Sequence, residues 1–179
     1  VSEFITHKFN IGNKVVFKNK EKFEEMNFEW LYHKTFCFDS KLEKDFLQFI
    51  EMKKDEIDKI FSDWFVIRNE GFEEFKIYDN RKDEVTYAMG FEPDFIFFGK
   101  KNKDDDNFLS IQCFIETKGE HLAMAKDTWK EEFLDTLKGK ILTTKDDKNL
   151  TLQSLPFFIN KDFKMNDKFV SGFEEFLQS

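Results

Sequence analysis

The sequence predicts an α/β fold in which helices flank a central mixed β-sheet. Three observations lead to this class: apolar residues at helical spacing from Leu42 to Phe61, aromatic and β-branched runs between residues 64 and 118, and renewed helical spacing from Trp129. The chain has 179 residues, of which 40% are hydrophobic, and this suffices for one compact core. We therefore expect a single domain over residues 1–179, with a core at about 39–160, an N-terminal extension over 1–38 and a C-terminal helix over 161–179.

The first elements follow from residue spacing. Residues 40–61 place their apolar side chains on one face, which predicts a helix, and Ser40 and Glu43 have the spacing of a capping box. Residues 64–67 and 72–78 are short aromatic and β-branched runs, which predicts two strands.

The second half of the sequence predicts a β-hairpin followed by a crossover connection. Residues 91–99 and 108–118 are apolar runs joined by the polar segment KKNKDDDN, which is typical of a long antiparallel hairpin. A helix follows, with Asp127 or Thr128 as its N-cap and Gly139 as its C-terminal stop. Residues 155–159 are then a predicted strand, reached by a right-handed crossover, and residues 169–177 a closing helix.

Composition limits the classes of function. The chain has 28 basic and 36 acidic residues, a net charge of −8, which argues against non-specific DNA binding by the isolated chain. Cys37 and Cys113 show no CxxC spacing, which argues against a disulfide scaffold and a structural zinc site. The apolar runs are too short to span a membrane, so we expect a cytoplasmic protein with no membrane partner.

The predicted hairpin brings three chemically active residues together. A turn centred near Asp105 places Asp94 opposite Glu116, with Lys118 on the same face and Thr117 pointing away. Two adjacent carboxylates repel each other unless a cation lies between them, and Mg²⁺ suits two carboxylates plus water. Such an ion with a nearby lysine can support phosphodiester hydrolysis. The spacing leaves a structural alternative open, in which Asp94 ends a strand and Glu116 and Lys118 form a solvated pair.

Pro93-Asp94 followed by Glu116-Thr117-Lys118 resembles the PD-(D/E)XK nuclease motif. More narrowly, the blocks DSKLEKDF, GFEPDFIFF, FIETKGEHL and DTWKEEFL, in that order, are similar to the C-terminal endonuclease domain of the restriction (Res) subunit of Type III restriction enzymes. The resemblance implies a restriction-endonuclease-like core and a metal-dependent endonuclease that hydrolyses DNA phosphodiester bonds. It implies Asp94, Glu116 and the Thr117 carbonyl as metal ligands, Lys118 as the catalytic lysine, and Glu43 facing the site from the first helix.

The same resemblance implies cofactors and partners. The expected cofactor is Mg²⁺, with Mn²⁺ able to replace it, and the absence of a GxxxxGK[ST] loop predicts that this chain binds no nucleotide. The implied partners are double-stranded DNA, the helicase/ATPase part of the same restriction subunit and the modification methyltransferase subunit, in the bacterial cytoplasm. Lys126 and Lys130 are candidate phosphate contacts.

Two alternatives from other classes of function remain. One is a catalytically silent nuclease-like module that docks motor and modification subunits to each other. The other is an interaction domain in which the motif is fortuitous.

Overall fold

The centre of the protein is a mixed five-stranded β-sheet, seen in a computed structural model that describes residues 23–32, 35–37, 41–69, 75–104, 107–119, 127–143, 149–161, 164–165 and 167–179. The strands in chain order are β1 (Phe23–Glu25), β2 (Thr35–Cys37), β3 (Asp63–Arg68), β4 (Ile77–Tyr78), β5 (Gly90–Phe91), β6 (Phe95–Asp104), β7 (Asn107–Ile115), β8 (Ile141–Thr143), β9 (Asn149–Ser154), β10 (Asn160–Lys161) and β11 (Lys164–Met165). The central sheet has the order β3-β6-β7-β9-β8, in which β7 and β9 are parallel and the other neighbours antiparallel. The predicted α/β class with a mixed sheet is confirmed.

Helices flank this sheet, as predicted. They are α1 (Lys41–Met52), α2 (Lys54–Asp58), α3 (Thr128–Asp135) and α4 (Asp167–Gln178). The single helix predicted over 40–61 is wrong, because the chain turns at Lys53 between α1 and α2. The Lys53 N–H is shared between the carbonyls of Phe49 and Ile50, a bifurcated bond that is common at helix ends. Ser40, the predicted capping residue, lies outside the described residues.

The hairpin register agrees with the sequence prediction. Strands β6 and β7 pair from Phe95↔Ile115 to Asn102↔Phe108, so Asp94 and Glu116 lie one position beyond the last pair. The predicted polar loop is shorter than expected, because the strands continue to Asp104 and restart at Asn107. Pairing with the partner strand, which shifts register between Asn102 and Asp104, satisfies backbone donors and acceptors in this polar segment.

Side chains of the hairpin alternate between two hydrophobic clusters. Phe95 and Phe97 enter the cluster that contains the apolar faces of α1 and α4, which we call the α1–α4 core. Ile96 and Phe114 enter the cluster that contains Phe133 of α3, which we call the α3 core. The sheet is therefore covered on both faces, and the alternation determines on which face each residue near the strand ends projects.

Three predicted boundaries are wrong, and proline explains two of them. Strand β5 stops at Phe91 and β6 begins at Phe95, because Pro93 between them has no N–H for a sheet. The predicted strand 155–159 contains Pro156, and the observed strand is β9, just before it. In the predicted strand 72–78, residues 75 and 76 are not in a strand and β4 covers the last two positions, while residues 72–74 lie outside the described residues. Gly139 has the expected positive φ of 75°, but it lies in a turn after α3 rather than directly at the helix end.

Candidate functional site

The two predicted acidic residues meet where the central hairpin ends. Asp94 directly precedes β6 and Glu116 directly follows β7, next to the terminal pair Phe95↔Ile115. The Asp94 backbone N–H donates to Glu116 Oε2 at 3.3 Å. The hairpin register therefore places the two carboxylates side by side, although neither residue is in a strand.

Thr117 connects these two residues. Its backbone N–H and its hydroxyl both donate to Asp94 Oδ2, at 2.8 and 2.7 Å. On the other side, the Glu116 carbonyl accepts from Phe158 N–H, and Lys118 N–H donates to the Phe158 carbonyl. The expectation that the Thr117 side chain points away is wrong: Asp94 lies before the strand begins, and its carboxylate accepts from the Thr117 hydroxyl.

Lys118 lies between two carboxylates. Its Nζ is 2.8 Å from Glu116 Oε1 and 2.9 Å from Asp127 Oδ2. Lys130 lies in the first turn of α3, and its Nζ is 3.6 Å from Glu116 Oε1 and 3.7 Å from Asp127 Oδ2. The same Nζ lies over the ring of Phe91, at 5.1 Å from the ring centroid. We call Glu116, Lys118, Asp127 and Lys130 the charge cluster.

Burial determines how the charge cluster titrates. Glu116 is only 3% exposed, and burial together with the nearby charge of Asp94 raises its pKa to about 7. Burial lowers the pKa of Lys118, but its ion pairs with Glu116 and Asp127 outweigh that effect and raise the pKa overall. Burial also raises the pKa of Asp127, but the hydrogen bonds and positive charges of Lys118 and Lys130 together outweigh this effect and lower the pKa overall. Glu116 therefore resists ionisation even though two lysines lie beside it.

Glu43 makes a different contact. It is buried on α1, and its Oε2 accepts from Arg68 Nε at 2.9 Å and lies 2.8 Å from Arg68 Nη2. Arg68 ends β3 and pairs across the sheet with Phe95, the neighbour of Asp94. The structure thus brings Asp94, Glu116, Thr117 and Lys118 into direct contact and places Glu43 in a buried ion pair on the α1 side of the sheet.

Two residues of this region did not enter the predicted site. Asp127 was predicted only as a helix cap, and nothing in the spacing indicated that it contacts Lys118. Arg68 had one available signal, since it is one of only two arginines in the chain and ends a run of buried strand residues. Lys126 and its neighbours over 120–126 lie outside the described residues, so that candidate phosphate contact stays a prediction.

The donor set fits a hard divalent cation. Among the described residues, no group of three or more His, Cys, Asp or Glu side chains is arranged to bind a metal. The predicted ligand set consists instead of two carboxylates, a backbone carbonyl and water, and Mg²⁺ prefers oxygen ligands of this kind. In extended backbone the N–H and C=O of one residue point the same way, so the Thr117 carbonyl lies on the side where its N–H meets Asp94.

No helix in the described part of the chain combines the length and the apolar character needed to cross a membrane.

Comparison with known proteins identifies relatives of this chain. The model of a family described as HI_1054_C, C-terminal domain, matches residues 9–179. An uncharacterized protein from Haemophilus influenzae is 37% identical over 161 residues, which cover 84% of this chain and 32% of that protein. The chain thus spans about a third of the length of this relative. No solved structure matches. Since the family match extends over nearly the whole chain, the protein belongs to the HI_1054_C C-terminal domain family.

Proposed function

We propose that this chain is a metal-dependent endonuclease domain that hydrolyses DNA phosphodiester bonds. The observation that carries the proposal is the contact of Asp94 with Glu116 and Thr117 at the end of the hairpin, with Lys118 bound to Glu116. These contacts support the proposal, because the PD-(D/E)XK resemblance implies that the two acidic residues and the lysine act together at one site. The restriction-endonuclease-like identity of the core is part of the same proposal.

In this proposal, Asp94, Glu116 and Thr117 bind the metal ion and Lys118 interacts with the substrate. Asp94, Glu116 and the Thr117 carbonyl would bind Mg²⁺ or Mn²⁺, which when bound polarises a phosphoryl oxygen and lowers the pKa of a water molecule. Lys118 supplies a positive charge beside the scissile phosphate. Its raised pKa keeps it protonated at neutral pH, so in this arrangement it stabilises negative charge rather than accepts a proton.

We further propose that the domain is the cleavage module of a Type III restriction-modification enzyme in the bacterial cytoplasm. A chain with a net charge of −8 is a poor non-specific DNA ligand, so duplex DNA would be bound mainly by the helicase/ATPase part and the methyltransferase subunit. The relative is about three times longer than the matched region, which leaves room for such parts in a protein of this kind.

The test is cleavage of supercoiled plasmid by the full-length protein with its modification subunit, with ATP and Mg²⁺ or Mn²⁺. We expect nicked and linear products from the wild type and none from the Asp94→Asn variant, while DNA-stimulated ATP hydrolysis is unchanged. Glu92→Gln is the matched control, because Glu92 is exposed, lies two residues away and pairs with Lys76. Equal cleavage by wild type and Asp94→Asn would remove the proposed site.

One observation favours a second candidate, the catalytically silent docking module. The charge cluster already pairs Glu116 with two lysines, so part of the site's negative charge is neutralised within the chain. A silent module would show no heat of Mg²⁺ or Mn²⁺ binding in calorimetry that depends on Asp94, whereas the nuclease requires it.

A further inference from the structure

Asp127 occupies a helix N-cap position without capping the helix. It directly precedes α3, where an aspartate ordinarily accepts from a backbone N–H of the first turn. Its side chain makes no such bond, and its Oδ2 instead lies 2.9 Å from Lys118 Nζ. The carboxylate is therefore directed at lysine amino groups rather than at the backbone of its own helix: Lys118 is the nearer of them, and Lys130 of α3 lies at 3.7 Å.

Lys118 is thereby fixed from two sides. Glu116 contacts its amino group from the end of β7, and Asp127 contacts it from the start of α3. A lysine has a flexible four-carbon stem and three donors that rotate freely, so one ion pair leaves the position of its amino group poorly defined. A second carboxylate on another element removes that freedom.

The two carboxylates are not equivalent in the proposed enzyme. Glu116 would also bind the metal ion, which competes with Lys118 for its oxygens, whereas Asp127 is not among the predicted metal ligands. We propose that Asp127 is the positioning residue for Lys118, the group that keeps the lysine aimed at the substrate phosphate when Glu116 binds metal. This inference rests on the proposed nuclease function and adds a residue that the PD-(D/E)XK motif does not contain.

The experiment compares Asp127→Asn and Asp127→Ala with the wild type in the full-length protein. Asp135→Asn is the matched control, because it makes the same charge change on an exposed residue of the same helix. We expect kcat of plasmid cleavage to fall about 10²-fold in Asp127→Ala, less in Asp127→Asn, with KM nearly unchanged, because a misplaced catalytic group slows chemistry more than binding. In a Lys118→Met background, Asp127→Ala should cause no further loss.

A second measurement does not depend on nuclease activity. Reductive methylation followed by mass spectrometry gives the rate at which the Lys118 amine is modified, with exposed lysines of the same chain as internal standards. We expect Lys118 to be modified several-fold faster in Asp127→Ala than in the wild type or in Asp135→Asn. The melting temperature of each variant is measured alongside.

Different results would overturn the proposed nuclease function and the positioning role of Asp127. If the wild type does not cleave DNA, the proposed function fails, and the methylation rates still decide whether Asp127 positions Lys118. If the wild type cleaves and Asp127→Ala retains its kcat, the positioning role is overturned while the nuclease stands. A Lys118 methylation rate that is the same in wild type and Asp127→Ala also overturns it.

Discussion

Thr117 donates two hydrogen bonds to the same oxygen of Asp94, one from its backbone N–H and one from its hydroxyl. Both bonds engage Oδ2, so the orientation of this carboxylate is determined by the residue between Glu116 and Lys118. In the proposed nuclease, the middle residue of Glu116-Thr117-Lys118 thus acts through its side chain as well as through its carbonyl.

Thr117→Val should therefore impair cleavage while the fold persists. Valine has the shape of threonine but lacks the hydroxyl, and a hydrogen bond to a charged group contributes about 1.5–3 kcal/mol. We expect a loss of that size in the free energy of unfolding, measured in urea, and a clear fall in kcat. Thr117→Ser keeps the hydroxyl and should retain most of both quantities. Equal cleavage by the valine and serine variants would show that the hydroxyl has no part in orienting Asp94.

The pH dependence of stability should report the burial of Glu116. Its pKa rises from an ordinary value of 4.5 to about 7, so between these pH values the folded state binds a proton that the unfolded state does not. The contribution of Glu116 to stability consequently falls as the pH rises through this window, by roughly 3 kcal/mol in total, and is constant above it.

Comparison with Glu116→Gln isolates this contribution. The glutamine variant does not titrate at this position. The unfolding free energy of the wild type minus that of the variant should therefore fall as the pH rises from 4.5 to 7. At pH 7 the variant should be at least as stable as the wild type, yet inactive in cleavage. A difference that is independent of pH would show that Glu116 ionises normally.

Divalent metal binding should show the opposite dependence on pH. A metal ion binds the ionised carboxylate, so protonation of Glu116 competes with it. We expect the affinity for Mg²⁺, measured by calorimetry, to increase from pH 5.5 to 7.5 and to depend on Asp94. An affinity that is unchanged over this range would exclude Glu116 as a ligand.

Glu43→Gln should destabilise the fold more than the loss of a helix cap would. Glu43 and Arg68 are 10% and 5% exposed at their side chains, and removing one partner of a buried ion pair costs about 3–5 kcal/mol. A lost cap costs about 0.5–2 kcal/mol. Glu56→Gln, which breaks an exposed pair with Lys53, is the control and should cost at most about 1 kcal/mol. A small effect of Glu43→Gln on urea unfolding would mean that its buried ion pair contributes little to stability.

Much of the site was predictable because it depends on local rules. The hairpin register follows from the position of its turn, and this register places Asp94 beside Glu116. The two covered faces of the sheet follow from the alternation of apolar side chains in β6 and β7.

What escaped prediction depends on contacts between distant segments. The pairing of Asp127 with Lys118, and of Glu43 with Arg68, joins elements whose relative placement is decided by core packing rather than by spacing. The division of the first helix at Lys53 was hidden, because Ile57 and Phe61 are buried and so continue the apolar pattern through the break. Strand β8 was missed because both Ile141 and Thr143 are exposed at the sheet edge.

The regular pairing of β6 with β7 between the site and Asn102↔Phe108 also limits how relatives of this domain can be recognised from their sequences. The register from Phe95↔Ile115 to Asn102↔Phe108 fixes the positions of Asp94 and Glu116 at one end of the hairpin. Residues can therefore be inserted or deleted at the other end, beyond Asn102 and Phe108, without moving either carboxylate. The number of residues between Asp94 and Glu116 is then free to vary among homologues, while the geometry of the pair is not. Relatives of this domain should accordingly be sought by aligning the two ends of the hairpin separately, with a gap of any length at its tip.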